Sequence, residues 1–166
     1  MAEYKGIKGF KVQYLDQDPV PAVAGWSSGG NMNTTIRALA GTGTQTAALG
    51  FGGYHNPGKP TQTEEYDGSS WAIGGAMSTA RENLGGAGTQ TSSLAFGGNV
   101  APWTAATEEY DGSTWTTVAS LGTARGYLAG AGTQPTALAF GGYTGTATAA
   151  TEEFTKGTAI ATVTVS

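Results

Sequence analysis

The chain has 166 residues, of which 28 are glycine, 26 alanine and 26 threonine, and only 24 are Leu, Ile, Val or Phe. It contains no cysteine and a single histidine, which excludes disulfide scaffolds, thiolate chemistry and multi-histidine metal sites. Eight basic against twelve acidic residues argue against binding to duplex nucleic acid. Because only 12% of residues are charged, repulsion would not keep the chain open, and a closely packed β-architecture of one domain is favoured over disorder.

The N-terminal segment, residues 1–24, differs in composition from the rest of the chain. It carries three lysines in its first eleven residues but no apolar core of a signal peptide, so we expect the chain to begin at Met1. Apolar and polar side chains alternate over residues 10–14, which predicts a first strand. A second interpretation stays open, in which this segment is a basic arm that anchors the protein to an acidic partner surface. No apolar run in the chain reaches the roughly 20 residues of a membrane-spanning helix, so we expect no membrane insertion.

Residues 25–166 contain an internal repeat with steps of 44 or 45 residues. An apolar segment ending in Phe-Gly-Gly, a Thr-Glu-Glu block and a tryptophan return at these steps. A period in the mid-40s is typical of stacked or radial arrays, in which each unit buries its faces against its neighbours. The recurring residues that we expect to have structural roles are Gly52, Gly53, Tyr66, Trp71, Arg81, Gly97, Gly98, Tyr110, Trp115, Arg125, Gly141 and Gly142.

Each unit contains four segments with strand character, always in the same order. A Gly/Ala-rich segment comes first, followed by the alternating large and small side chains before Gly-Gly, the Thr-Glu-Glu segment, an Asp-Gly turn and the Trp segment. No segment has a 3.6-residue apolar period, so the sequence predicts an all-β protein. We expect about three four-stranded units, near 37–80, 81–124 and 125–166. The alternating residues 159–166 predict a last strand in place of a fourth Trp segment.

Each unit also carries two adjacent glutamates in its Thr-Glu-Glu segment. Neighbouring residues of a strand point to opposite faces, so one pair cannot form a shared acid/base or metal site. We expect one glutamate of a pair to contact the repeat arginine, Arg81 or Arg125. Asp67 and Asp111 precede glycine and are predicted to be turn residues. The glutamate pairs are Glu64-Glu65, Glu108-Glu109 and Glu152-Glu153.

The recurring pattern resembles the kelch repeat, in which an apolar strand and Gly-Gly precede a tyrosine, a tryptophan five residues later and an arginine before the next unit. The third unit has Phe154 in place of the tyrosine and no tryptophan, and the arginine before the first unit, Arg37, is shifted by one position. The resemblance implies a β-propeller-like fold. Kelch-fold copper oxidases need cysteine and histidine ligands, and a chain with no cysteine and a single histidine cannot supply them, so we expect no cofactor and no enzymatic activity.

The opening segment together with the Gly/Thr-rich units is similar to kelch-like proteins of marine bacteriophages. Such proteins are generally regarded as virion structural or fibre proteins. The resemblance therefore implies a non-catalytic virion protein, a capsid decoration or a tail or fibre component at the surface of an extracellular particle. Its partners would be other virion proteins and further copies of itself.

The number of units leaves the closure of a propeller open. Closed propellers usually have four to eight blades, and an unclosed one leaves sheet edges that can recruit other strands. N-terminal strands could complete a small ring, a second chain could complete a larger one, or the units could form another β-array around a trimer axis. We favour assembly between chains.

Residues that break the repeat are the candidates for recognition. They lie in the connections after each Gly-Gly pair, which cluster on one rim of a radial array. Aromatic side chains there could stack on sugar rings or fill a pocket of a protein partner. The alternative function is therefore an adhesin or lectin-like module for a host surface glycan or receptor. The candidate residues are Tyr54, His55, Asn56, Lys59, Asn99, Trp103 and Tyr143.

Overall fold

The structure is a computed structural model that describes residues 24–157. The strand predicted at residues 10–14 and the one predicted at residues 159–166 lie outside this range. Within it, all regular elements are β-strands, eleven in number, and none is a helix. The predicted all-β class is therefore confirmed for the described part of the chain.

The strands form three antiparallel sheets, in each of which neighbouring strands follow one another along the chain. The first sheet consists of β1 (Ala40–Thr44), β2 (Ala47–Phe51), β3 (Thr63–Tyr66) and β4 (Trp71–Ile73). The second sheet consists of β5 (Gly85–Thr89), β6 (Ser92–Phe96), β7 (Thr107–Tyr110) and β8 (Trp115–Val118). The third sheet consists, among the described residues, of β9 (Ala129–Thr133), β10 (Thr136–Phe140) and β11 (Thr151–Thr155). The first two sheets have the predicted four strands in the predicted order.

The turn between the third and fourth strands is held by an aspartate. One carboxylate oxygen of Asp67 accepts hydrogen bonds from the backbone N–H groups of Ser69 and Ser70, both at 2.8 Å. Asp111 forms the same contacts in the second sheet. These donors stabilise the ionised carboxylate and hold the pKa of both aspartates well below the usual range. The predicted turn role of the two residues is confirmed.

The sheets lie side by side because glycines on the first strands allow close approach. A Cβ atom added to Gly86 in β5 would lie 2.7 Å from Cζ of Phe51 in the first sheet. One added to Gly130 in β9 would lie 2.6 Å from Cζ of Phe96 in the second sheet. Any larger residue at these positions would push the sheets apart, which explains why both positions are glycine.

Two separate hydrophobic cores lie between the sheets, one at each interface. Among the described residues, both cores lie between sheets and none within a single sheet, so each unit is stabilised by its neighbours, as expected for a repeat array. The first core contains Ala40, Leu49, Phe51, Met77, Leu84, Ala95, Tyr110 and Trp115. The second contains Ala87, Leu94, Phe96, Leu128, Ala137 and Ala139, with Val118, Leu121 and Phe154 half-buried against it.

Candidate interaction surfaces

A buried arginine on each crossover between sheets forms an ion pair with a glutamate of the following sheet. Arg81 and Glu108 are both buried, and the guanidinium lies 3.0 Å from the carboxylate. Arg81 also donates a hydrogen bond of 2.5 Å to the carbonyl of Ala106. Burial lowers the pKa of Arg81, while the charge of Glu108 opposes this by stabilising the cation. Arg125 and Glu152 repeat the pair at 3.3 Å, so the predicted contact between a glutamate and the repeat arginine is present twice.

Glu64 is the corresponding buried glutamate of the first sheet, and its carboxylate accepts hydrogen bonds from amide groups in place of an arginine. Glu64 accepts hydrogen bonds from the backbone N–H groups of Asn33 at 2.8 Å and Thr34 at 2.9 Å. The side-chain amide of Gln62 adds a third at 3.0 Å. These neutral donors satisfy the carboxylate where the later units use an arginine. The segment around Asn33 therefore covers the first sheet as the later crossovers cover the second and third.

In the second and third sheets, a glutamine at the tip of the first hairpin links the sheet to the preceding one. The side-chain amide of Gln90, between β5 and β6, donates to the carbonyls of Ala48 at 3.1 Å and Tyr66 at 2.7 Å in the first sheet. Gln134 forms both contacts again with the second sheet. Gln45 is the corresponding residue of the first unit and is exposed. Each of these glutamine contacts therefore joins a sheet to the one before it in the chain.

The indole of Trp115 fills the space between the first and second sheets. Its ring lies 5.0 Å from that of Phe51, and its Nε1–H donates to the hydroxyl of Thr63 at 2.9 Å. Beside it, the hydroxyl of Tyr110 donates to a carboxylate oxygen of Glu65 at 2.5 Å. Burial and this hydrogen bond raise the pKa of Tyr110 to about 12. The two glutamates of a pair thus serve different interfaces, as their opposite orientations on the strand require.

Among residues 24–157, the corresponding space between the second and third sheets contains a cavity of about 180 Å³. Its lining includes Phe96, Thr107 and Phe154, which repeat the residues around Trp115 one unit further along. The residue one repeat after Trp115 is Ala159, which lies outside the described residues. The cavity therefore lies where an indole stands in the first interface.

The outer side of the third sheet, which we call the end face, exposes large apolar side chains. Leu138 is 39% exposed and Phe140 is 40% exposed. Their counterparts in the first and second sheets are at most 3% exposed, because the following sheet covers them. The repeat therefore presents at its end the same surface that it buries twice within the chain.

Polar contacts join two of the predicted recognition residues, which lie in successive connections after the Gly-Gly pairs. The ammonium group of Lys59 donates to the side-chain oxygen of Asn99 at 3.2 Å and lies 3.6 Å from a carboxylate oxygen of Glu82. Lys59 belongs to the first connection and Asn99 to the second, so these contacts bridge adjacent units. The ammonium group of Lys59 and the side-chain oxygen of Asn99 are therefore already engaged within the chain.

An aromatic cluster joins the connection of the second unit to residues of the third unit. The ring of Trp103 lies 5.8 Å from Tyr143 and 5.6 Å from Tyr127, edge to face in both cases. Tyr127 is 64% exposed, and Trp103 packs over Gly126, where no side chain would fit. Tyr127 was not among the predicted residues, although it also breaks the repeat.

The remaining predicted residues lie apart from this cluster. The guanidinium of Arg37 lies over the ring of Tyr54, with 4.6 Å between the guanidinium carbon Cζ and the ring centroid. His55 begins a tight turn, and its Nδ1 lies 3.3 Å from the carbonyl of Asn56. The structure therefore joins Trp103 with Tyr143 and does not bring Tyr54 to them.

A comparison of the chain with protein-family models finds no match, and neither does a comparison with curated proteins. Across residues 24–157, no three acidic or histidine side chains come together as a group that could hold a metal ion. The same residues include no helix long and apolar enough to cross a membrane.

Proposed function

We propose that the protein is a non-catalytic structural component of a phage particle, a capsid decoration or a tail or fibre protein, built from kelch-like units that form an arc of a propeller. It assembles through the faces and edges of these units. The observation that carries the proposal is the end face, where Leu138 and Phe140 are exposed although the repeat is built to bury them.

Covering the end face would be favourable. Burying an exposed Leu or Phe side chain completely contributes about 1.5–3 kcal/mol. Since two-fifths of each side chain is exposed, further burial would contribute about 1 kcal/mol for each residue. The strand β11 also forms a sheet edge among the described residues, and such an edge offers unpaired backbone groups to another strand. Both features favour a partner at this end.

The viral setting is supported by the resemblance to kelch-like phage proteins and not by the contacts above. Its partners would be other virion proteins and copies of the chain itself. An antibody against the recombinant protein should label intact phage particles in immunogold electron microscopy. Gold label on free protein but not on the particles would contradict the proposal that the protein is part of the virion.

Light scattering behind a sizing column tests the assembly. We expect the wild-type chain to elute as a multiple of 16.7 kDa and Phe140→Glu to shift towards that mass, because a charge would be buried at the contact. Val100→Glu is the matched control, since Val100 is an exposed apolar residue of the rim and lies outside the end face. Equal behaviour of the two variants would contradict assembly through this surface.

A second candidate function is recognition of a host glycan or receptor by the aromatic cluster. The exposed rings of Tyr127 and Tyr143 are supported by Trp103, an arrangement suited to stacking against a sugar ring. On a glycan array, Tyr143→Ala should then lose the binding of the wild-type chain. Tyr54→Ala, which removes a ring paired with Arg37, should keep it. An array that the wild-type chain does not bind would contradict this function for glycans.

A further inference from the structure

We infer that the partner of the end face is a second copy of this chain, docked head to tail. The first sheet of one copy, with the segment at Trp26, would lie on the third sheet of the other. The inference rests on the assembly proposed above and names its partner and its surfaces.

Contacts between glycine and phenylalanine carry the first step. The contact of Phe51 with Gly86 recurs one unit later at Gly130, so the chain itself already contains two copies of this interface. One further step places Phe140 over Gly41 of a following first unit. A Cβ added to Gly41 would have a single neighbour, at 3.4 Å in its own sheet, so the position is open on its outer side. Both halves of the contact are therefore present at opposite ends of one chain.

The glutamine links carry the second step. Gln90 and Gln134 each donate to two carbonyls of the preceding sheet, whereas Gln45 is exposed. By the repeat, the matching carbonyls for Gln45 are those of Ala137 and Phe154 in the third sheet. A second copy supplies this donor and the first supplies both acceptors.

The segment at Trp26 carries the third step. Trp26 stands 45 residues before Trp71, the first residue of the outer strand β4. The residues that follow it bind Glu64 through backbone N–H groups, as Ser78 binds Glu108 after β4. Trp26 therefore corresponds to the outer strand of a sheet that would precede the first one. The other three strands of such a sheet are not present before β1 among the described residues. The third sheet of a second copy would supply these three strands, β9, β10 and β11.

The cavity beside the third sheet fits the side chain of Trp26, which is fully exposed. Its volume of about 180 Å³ is similar to apolar cavities of roughly 150 Å³ that bind a benzene ring. Thr107 in its lining matches Thr63, which accepts the indole N–H of Trp115 in the first interface. An indole from a second copy would therefore find both ring contacts and a hydrogen-bond acceptor.

Residues 158–166 are the competing occupant of the cavity. In the first two units, Asp67 and Asp111 hold the turn that leads into the outer strand. The corresponding residue of the third unit is Thr155, and the tryptophan is replaced by Ala159. The chain's own sequence thus lacks both the turn and the indole at this point, which favours the second copy.

Such an interface joins two different surfaces, so it produces a ring if the rotation closes and a filament if it does not. Two copies of three units give six, within the four to eight of closed propellers. We therefore expect a ring of two copies.

Two variants that each lose one half of the interface provide the test. Trp26→Ala removes the inserted indole and keeps the end face, whereas Phe140→Glu keeps the indole and damages the end face. Each alone should be monomeric in light scattering, with an apparent dissociation constant raised about thirtyfold or more, as expected for a buried aromatic anchor. An equimolar mixture should form a heterodimer that does not grow, because one intact interface remains. Circular dichroism and thermal unfolding would verify that both variants fold.

A glycine pair gives an independent check. Gly41→Leu should block docking while leaving the monomer folded, because its Cβ position is open in the single chain. Gly58→Leu is the matched control, since a Cβ there has no neighbour within 4 Å and lies in a rim connection. The control should assemble like the wild-type chain.

Several results would overturn the inference. A mixture of the two variants that stays monomeric would exclude the head-to-tail arrangement. Trp26→Ala assembling as well as the wild-type chain would indicate that residues 158–166 or another group fills the cavity. In both cases, wild-type assembly would leave the proposed function standing. A wild-type chain that is monomeric at all concentrations would instead overturn the assembly itself.

Discussion

Replacing Arg81 by methionine would remove the cation from a buried ion pair while keeping an unbranched side chain. Arg81 and Glu108 are at most 1% exposed, and the guanidinium also binds the carbonyl of Ala106. Removing one partner of such a pair leaves an uncompensated buried charge and costs about 3–5 kcal/mol. We therefore expect Arg81→Met to lower the free energy of unfolding by this amount.

The third unit provides a natural control for this variant. Arg125 forms the same pair with Glu152, but the carboxylate is 27% exposed and can be hydrated when the arginine is lost. We expect Arg125→Met to cost about 1.5–3 kcal/mol, the range for hydrogen bonds to charged groups. Urea unfolding followed by tryptophan fluorescence would measure both. Equal losses, or a loss below about 1 kcal/mol for Arg81→Met, would refute the importance assigned to burial.

Further predictions concern pH and packing. Because the pKa of Tyr110 is raised to about 12, its contribution to stability should be complete below pH 10 and lost as the pH rises towards 12. The stability difference between the wild-type chain and Tyr110→Phe should shrink over that interval, with Tyr66→Phe as the control. Asp111 has a lowered pKa, so the stability difference between the wild-type chain and Asp111→Ala should be constant near neutral pH and close as the pH falls below about 4. Gly86→Leu should unfold the protein at a lower temperature in calorimetry, by roughly the 1–3 kcal/mol of an overpacked core or more, because Phe51 occupies the space. A normal melting temperature would contradict that contact.

The strand order and the turn chemistry could be predicted because each unit repeats them. The Asp-Gly turns, the alternating strand before Gly-Gly and the separation of the two glutamates follow from local geometry. A contact between the repeat arginine and one glutamate of a pair was also predictable, since an arginine and two adjacent glutamates recur at fixed steps. Repetition supplies several copies of the same local signal, which strengthens each of these predictions.

The end face could not be predicted from its residues. Leu138 and Phe140 occupy the same sequence pattern as buried Leu94 and Phe96, and the pattern contains no information on whether another unit follows. Exposure there depends on the neighbouring sheet, which is a tertiary property.

The neighbours of the aromatic residues on the rim could not be predicted from the sequence pattern either. Tyr54 and Tyr143 occupy equivalent positions after Gly-Gly, yet they have different neighbours. Arg37 reaches the ring of Tyr54 because the arginine before the first unit is shifted by one residue. Tyr127 joins Trp103 instead, and it stands where the other units have Ala38 and Asn83. Applying the criterion of repeat-breaking residues to the start of each unit would have identified it.

The most direct measurement is the native mass of the wild-type chain by light scattering over a wide range of concentrations. Assembly through the end face predicts a discrete species of twice the chain mass of 16.7 kDa, or a larger head-to-tail polymer, that Phe140→Glu dissociates. A single species of 16.7 kDa at every concentration would contradict assembly between chains.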